Sequence, residues 1–98
     1  MFTWTEEKNQ LNKKKHVLFL SEVVEVFDDS HLFEFYDATH SYFDEDRYIN
    51  LGRLNDTVIL FVVTADTNED TQIISARKAT PKEQELYYAN YERETRGN

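Results

Sequence analysis

The chain has 98 residues, a net charge of −8, 40% hydrophobic and 14% aromatic residues, and no cysteine. That length supports a single domain, residues 1–98, with one core in which Phe and Tyr supply much of the buried area. Disulfides and thiolate metal sites are excluded, no apolar run approaches the ~18 residues of a spanning helix, and the first residues lack signal-peptide character, so a cytoplasmic protein with no membrane partner is expected.

Phe2 and Trp4 alternate with polar residues, which suits a short edge strand or the apolar entry to a helix. Thr5 suits an N-cap, and acids at Glu6 and Glu7 with bases at Lys13 to Lys15 complement a helix dipole. This predicts a helix over roughly 6–15 whose interior apolar residue is Leu11, packing through Leu11, Trp4 and lysine stems. Phe19, Leu20, Val23, Val24, Val26 and Phe27 share one face at helical spacing, a second helix with Ser21 as cap and Asp28-Asp29-Ser30 as its end.

From His31 the period becomes two, and Leu32 to Tyr36 reads as a strand. A loop rich in acids runs from Asp37 to Asp46 and holds His40, Tyr42 and Phe43. Residues 28–46 carry seven acids and no Lys or Arg, so most of the excess negative charge sits there and a cationic site elsewhere stays open. Arg47 to Leu54 alternates as a strand, Asn55-Asp56 is a two-residue turn, and Thr57 to Ala65 is an apolar run suited to a central strand buried on both faces. A polar hairpin from Asp66 to Asp70 leads to a strand over Thr71 to Lys78. Thr80, Pro81 and Glu83 form a capping-box start for a last helix, which runs to about Arg93 with Tyr87, Tyr88 and Tyr91 on one face and a frayed tail from Glu94 to Asn98. The layout is α+β in two layers: two N-terminal helices, a four-stranded antiparallel meander sheet and a C-terminal helix.

Several short runs then fall into one order. They are Phe2-Thr3-Trp4-Thr5 with Glu6-Glu7-Lys8-Asn9, Asn12 with Lys15-His16, then Phe19, Glu22 and Val26-Phe27-Asp28. The Asp37 to His40 spacing, Glu45-Asp46-Arg47-Tyr48, Leu51-Gly52, and Ile73-Ile74-Ser75-Ala76-Arg77-Lys78-Ala79-Thr80 with Glu83 and Tyr87 complete it. In this order and spacing the chain resembles the BrnT family of toxins from bacterial toxin–antitoxin pairs, over nearly its whole length. The resemblance implies a RelE-like fold and a ribonuclease that cleaves RNA and inhibits translation. It also implies neutralisation by a BrnA-like antitoxin, contact with operator DNA only through that antitoxin, and a homodimer or a heterotetramer with it as candidate assemblies. The chain departs from the family at Val17, where glycine is usual, and at Asp66 and Gln72, where arginines are common. Those two positions motivate an alternative, a catalytically weakened module that only docks a basic partner through the acidic segment.

RNA hydrolysis without a metal needs a base for the 2′-OH, an acid for the leaving 5′-oxygen, and cations for the charge that develops on phosphorus. His16, following the lysines and matched to the family, is the candidate base; His40, in the acidic loop, is the candidate acid. Arg47 and Arg77 are candidates to hold the phosphate, and Lys15, Lys78 and Arg53 to bind RNA. Arg77 and Lys78 are consecutive strand residues and must face opposite ways. The bland alternatives are cross-strand ion pairs for the arginines, a solvated helix end for the lysines and core packing for the tyrosines. The acids lack the spacing of a calcium loop, and neither a metal site nor a cofactor is expected.

Overall fold

The computed structural model describes residues 1–43, 45–67 and 69–96; Asp44, Asn68, Gly97 and Asn98, which fall in the expected acidic loop, hairpin and tail, lie outside the described residues. Its centre is β4, Val58–Asp66, the middle strand of a five-stranded sheet ordered β1-β5-β4-β3-β2. Here β1 is Phe2–Thr3, β2 is Phe33–Tyr36, β3 is Asp46–Leu54 and β5 is Thr71–Lys78. The apolar run serves both faces of β4: Leu60 and Val62 enter one core, Ile59 the other. β2 to β5 pair antiparallel as a meander. Asn55 and Asp56 turn the chain between β3 and β4 at φ of 54° and 60°, a conformation that short polar side chains tolerate.

The expected four-stranded antiparallel sheet needs correction. Phe2 and Thr3 add a fifth strand, parallel to β5 and opposite Thr71 and Gln72, so the sheet is mixed. The pairing is fixed by an apolar anchor, since the Phe2 ring stacks on Phe27 with centroids 4.2 Å apart. Two layers become three, because helices cover both faces.

The first helix, α1, spans Glu6–His16 and begins as expected, with the Thr5 hydroxyl accepting the Lys8 N–H at 3.2 Å. It docks in an unexpected way. Leu11 is 48% exposed, and the buried residues are Asn9 and Asn12. Beyond Gln72 the outer side of β5 has no neighbouring strand among the described residues. Asn12 fills that gap: Ala76 N–H donates to its Oδ1 at 3.0 Å, and its Nδ2 donates to Ala76 O at 3.0 Å and to Leu18 O at 2.9 Å. One turn earlier, Asn9 Oδ1 accepts the Leu20 N–H at 2.6 Å. Between them Val17 ends α1 at φ 61°, the left-handed conformation that a glycine takes without strain.

The second helix is also corrected. α2 spans only Leu20–Val23, is preceded by Phe19 rather than capped by Ser21, and tightens into a 3-10 helix over Val24–Asp28. Leu20, Val23 and Val26 are all 0% exposed, and their spacing of three is the repeat of the tighter helix, whose side chains eclipse every third residue. Val26 and Leu32 close over Gly52, where a Cβ would collide with both.

The last helix, α3, spans Pro81–Arg96 on a reciprocal capping box: Thr80 N–H to Glu83 Oε1 at 2.8 Å and Glu83 N–H to Thr80 Oγ1 at 3.2 Å. It continues past Arg93 because Glu94 is held from outside, its Oε2 2.9 Å from His31 Nδ1. Tyr87 is 0% exposed and seals α3 onto Ile49, Leu51 and Ile59.

The Asn12 clamp yields a stability prediction. Asn12→Ala leaves both polar groups of Ala76 buried and unpaired, which costs about 3 kcal/mol. Urea unfolding is expected to show a midpoint lowered accordingly with an unchanged slope; a loss no larger than that of an exposed-residue variant would remove the clamp from the account.

Candidate active site

α3 leaves one end of its sheet face uncovered, and there a cleft of about 460 Å³ opens. Phe35, Ile49, Phe61 and Val63 give it apolar walls, and His40 and Arg47 are among its polar groups. A bulge shapes the β5 side: Val63 pairs with Ser75 and Thr64 with Ile73, so Ile74 is an extra residue. The bulge lets Ile74 and Ser75 both line the cleft while Ile73 stays buried in the opposite core.

Local hydrogen bonds set the two polar groups. The Asp37 carboxylate accepts the His40 backbone N–H at 3.3 Å and lies 2.8 Å from His40 Nδ1. An ionised carboxylate only accepts, so Nδ1 carries a proton and Nε2 is the ring nitrogen left for a ligand. Ser41 Oγ donates to Asp37 O at 2.7 Å and accepts the Arg47 N–H at 2.9 Å, which fastens this turn to the start of β3. Arg47 Nε donates to Glu45 Oε2 at 2.9 Å. Its two Nη groups make no hydrogen bond among the described residues and stay open to a ligand.

Arg77 borders the same cleft. Its guanidinium lies 3.9 Å from the centroid of the Phe61 ring and donates to both oxygens of Glu83, at 2.7 and 2.9 Å. This hydrogen bond outweighs burial and holds the Glu83 carboxyl below its ordinary range, while the same bond raises Arg77. Glu83 therefore does two things, capping α3 and orienting Arg77.

A family model described as "Ribonuclease toxin, BrnT, of type II toxin-antitoxin system" matches residues 4–83, which hold the whole cleft and the Arg77–Glu83 pair. This chain belongs to the BrnT family. Among solved structures, the crystal structure of the Brucella abortus ribonuclease toxin BrnT is similar, with 28% identity, a TM-score of 0.62, and coverage of 82% of this chain and 97% of that one. No curated protein matches the sequence.

In this BrnT-family chain the residues singled out from the sequence divide. Arg47 and His40 line the cleft, and Arg77 stacks on Phe61, one of its walls. Lys78 pairs with Leu60 and faces the α1/α2 side, opposite Arg77 as alternation requires. Lys15 and His16 are exposed at the end of α1, and among the described residues no hydrogen bond or ion pair joins either to the cleft. Arg53 shares the face of Arg47 but lies at the covered end, its guanidinium 5.7, 6.0 and 5.5 Å from the ring centroids of Tyr87, Tyr88 and Tyr91. Burial and a 2.7 Å bond to Asp29 push the Tyr87 phenol up. Burial alone would raise Asp29, but the bonds from Tyr87 and from the His31 and Arg53 amides hold it low.

The two departures from the family also separate. Gln72 pairs with Ala65, the partner of Arg47, and so stands on the cleft side. Asp66 pairs with Asp46 and faces away, so its charge does not enter the cleft. The sequence did not reveal Ser41 or the bulge as parts of the site. Glu83 was visible as a cap, and its spacing from Arg77 across the strand–helix joint was the available sign of the second role.

The Arg77–Glu83 pair predicts a pH dependence. Glu83 titrates below its ordinary value of 4.5, so its stabilisation is complete above that pH and is lost as pH falls through the lowered folded value. Glu83→Gln is expected to be less stable near neutrality by about 1 kcal/mol, with the difference shrinking in acid. Thermal unfolding of both proteins over an acid series measures this; a constant difference across the series would contradict the pairing.

Proposed function

We propose that this chain is an endoribonuclease toxin that cleaves RNA without a metal and thereby inhibits translation. In this reading a DNA-binding antitoxin of the BrnA kind neutralises it, and together they repress their operon. The observation that carries the reading is the gathering in one cleft of an Asp37-oriented His40 and an Arg47 whose Nη groups make no hydrogen bond among the described residues, with Arg77 stacked on the cleft's Phe61 wall. His40, read from the sequence as the acid, serves here as the base: its Nε2 takes the proton of a ribose 2′-OH, and the oxygen attacks the adjacent phosphorus. Arg47, then Arg77, neutralises the charge that builds on the non-bridging oxygens. The P–O5′ bond breaks, water at the open face of the cleft protonates the departing oxygen, and a 2′,3′-cyclic phosphate remains. Phe61 and Phe35 offer apolar surface to a flanking base. No chemical step falls on His16; Lys15, Lys78 and Arg53 are left to RNA contacts outside the cleft or to structure.

A second reading, the weakened module that only docks a basic partner, is favoured by one observation. Arg47, Arg77 and His40 each already contact a carboxylate, those of Glu45, Glu83 and Asp37.

Cleavage of a labelled RNA in the presence of a chelator separates these readings. Wild type is expected to cleave. Arg47→Ala is expected to lose about 10²-fold or more, His40→Ala about 10²–10⁴-fold, and His16→Ala to keep wild-type activity. Loss of activity in the His16 variant with retention in the His40 variant would overturn the cleft assignment. An inactive wild type would favour the docking module.

A further inference from the structure

One row of the cleft floor takes no part in the proposed proton and phosphate chemistry. Phe35 pairs with Ile49, Ile49 with Val63, and Val63 with Ser75, so these side chains share one face across β2, β3, β4 and β5. Three strand spacings make the row about 14 Å long. All four residues line the cleft. Two residues along, on one side, stands the row of Arg47, with His40 nearby; on the other side stands the row of Phe61 and Arg77. Phe35 is 37% exposed, and Val63 and Ser75 are half-buried, so the row faces open space.

The chemistry of the row selects its occupant. Three of its members are apolar, and a phosphate laid on them would lose water without gaining a partner. The apolar surfaces of RNA are the flat faces of its bases, which in a duplex are covered by their neighbours. Ser75 adds a hydroxyl at the β5 end of the row, and it makes no hydrogen bond among the described residues, unlike the hydroxyls of Ser41 and Thr64. Such a group can donate or accept at the edge of a base. The cleavage step then fixes which base. The ribose whose 2′-OH meets His40 carries its base on C1′, the carbon bonded to C2′. With that ribose at His40 and the scissile phosphate at Arg47, the base within reach of the row is the one on the 5′ side of the cut.

We propose that Phe35, Ile49, Val63 and Ser75 form a subsite for the unpaired base on the 5′ side of the scissile phosphate. Phe35 is its stacking partner and Ser75 reads its edge. The cleft, at about 460 Å³, falls in the range that encloses small organic ligands. The substrate is therefore single-stranded RNA, because a paired base would have to leave its stack to reach the row. The inference rests on the proposed cleavage for its choice of nucleotide, and it deepens that reading by naming the form of RNA the cleft accepts.

The test uses two dinucleotides with 2′-deoxy sugars and a single phosphodiester, one with 2-aminopurine on its 5′ side and one with it on its 3′ side. This base brightens when it leaves its stack on a neighbouring base. The 5′ probe is expected to brighten on titration with wild type, and the 3′ probe to stay unchanged. Phe35→Ala is expected to bind the 5′ probe about tenfold more weakly, as loss of a stacking ring requires. Val63→Thr keeps the shape of the floor and adds a hydroxyl, so it is expected to weaken the same probe even where Phe35→Ala lowers the melting temperature. Ser75→Ala is expected to narrow the spread of affinities when the 5′ base is varied among the four natural bases. No response from the 5′ probe would overturn the proposal and leave the row as cover for a protein partner. An equal response from both probes, an unchanged spread in the Ser75 variant, or cleavage of duplex RNA as fast as single-stranded RNA would also overturn it. Cleavage of ordinary RNA without a response from the 5′ probe sinks the subsite alone, whereas a response without cleavage keeps the subsite and sinks the cleavage.

Discussion

The amide of Asn12 takes the place of a missing strand, and much of the molecule depends on it. β5 would otherwise present bare polar groups at Ala76 on the outer side, where β1 ends at Thr3. Satisfying both groups of Ala76 from one side chain fixes α1 against the sheet edge. The same amide holds Leu18 O, and Asn9 holds Leu20 N–H, so the position of α1 dictates where α2 starts. From that start, Leu20, Val23 and Val26 reach the sheet at intervals of three, and Gly52 gives Val26 room. With its edge held, β5 can carry an irregularity on its other side. The bulge at Ile74 and the Arg77–Glu83 joint that follows are what shape the cleft.

Features set by neighbours in sequence were legible in it. The capping box of Thr80 and Glu83, the Asn55-Asp56 turn and the run Thr57 to Ala65 each follow from local chemistry; the first two form as read, and the strand forms one residue later, over Val58–Asp66. Features set by distant partners were not. A helical asparagine reads as solvent-facing, and nothing around Asn12 announces Ala76, which lies on the last strand. Phe2 and Thr3 are too few to show a period, and they become a strand only because Thr71 and Gln72 offer an edge. Leu20, Val23 and Val26 fit both an α-helix and a 3-10 helix, and the choice is made by packing on Gly52. At the site, Arg47, His40 and Arg77 were chosen by residue type together with the resemblance, and alternation correctly put Arg77 and Lys78 on opposite faces. His16 was chosen on resemblance, and its neighbourhood could not be read because the end of α1 is positioned by Asn12.

The electrostatics of the two sheet faces differ in kind. On the cleft face each candidate cation has a carboxylate beside it, which limits the cost of gathering positive groups and orients them. On the opposite face Glu34, Asp46 and Asp66 make no ion pair among the described residues. A chain of net charge −8 can therefore offer a place for phosphate on one side while its excess charge lies elsewhere. The substitution of Asp66 for a common family arginine belongs to the second face, and Gln72 alone bears on the first.

In the proposed reading RNA meets this protein at the cleft and not at the basic end of α1. Nuclear magnetic resonance of isotope-labelled protein, titrated with an RNA oligonucleotide whose scissile 2′-OH is replaced by hydrogen, tests this most directly. The amide signals of His40, Arg47, Val63 and Ser75 are expected to move together, while those of Lys13 to His16 stay in place. Movement confined to Lys13 to His16, with the cleft signals unchanged, would contradict it.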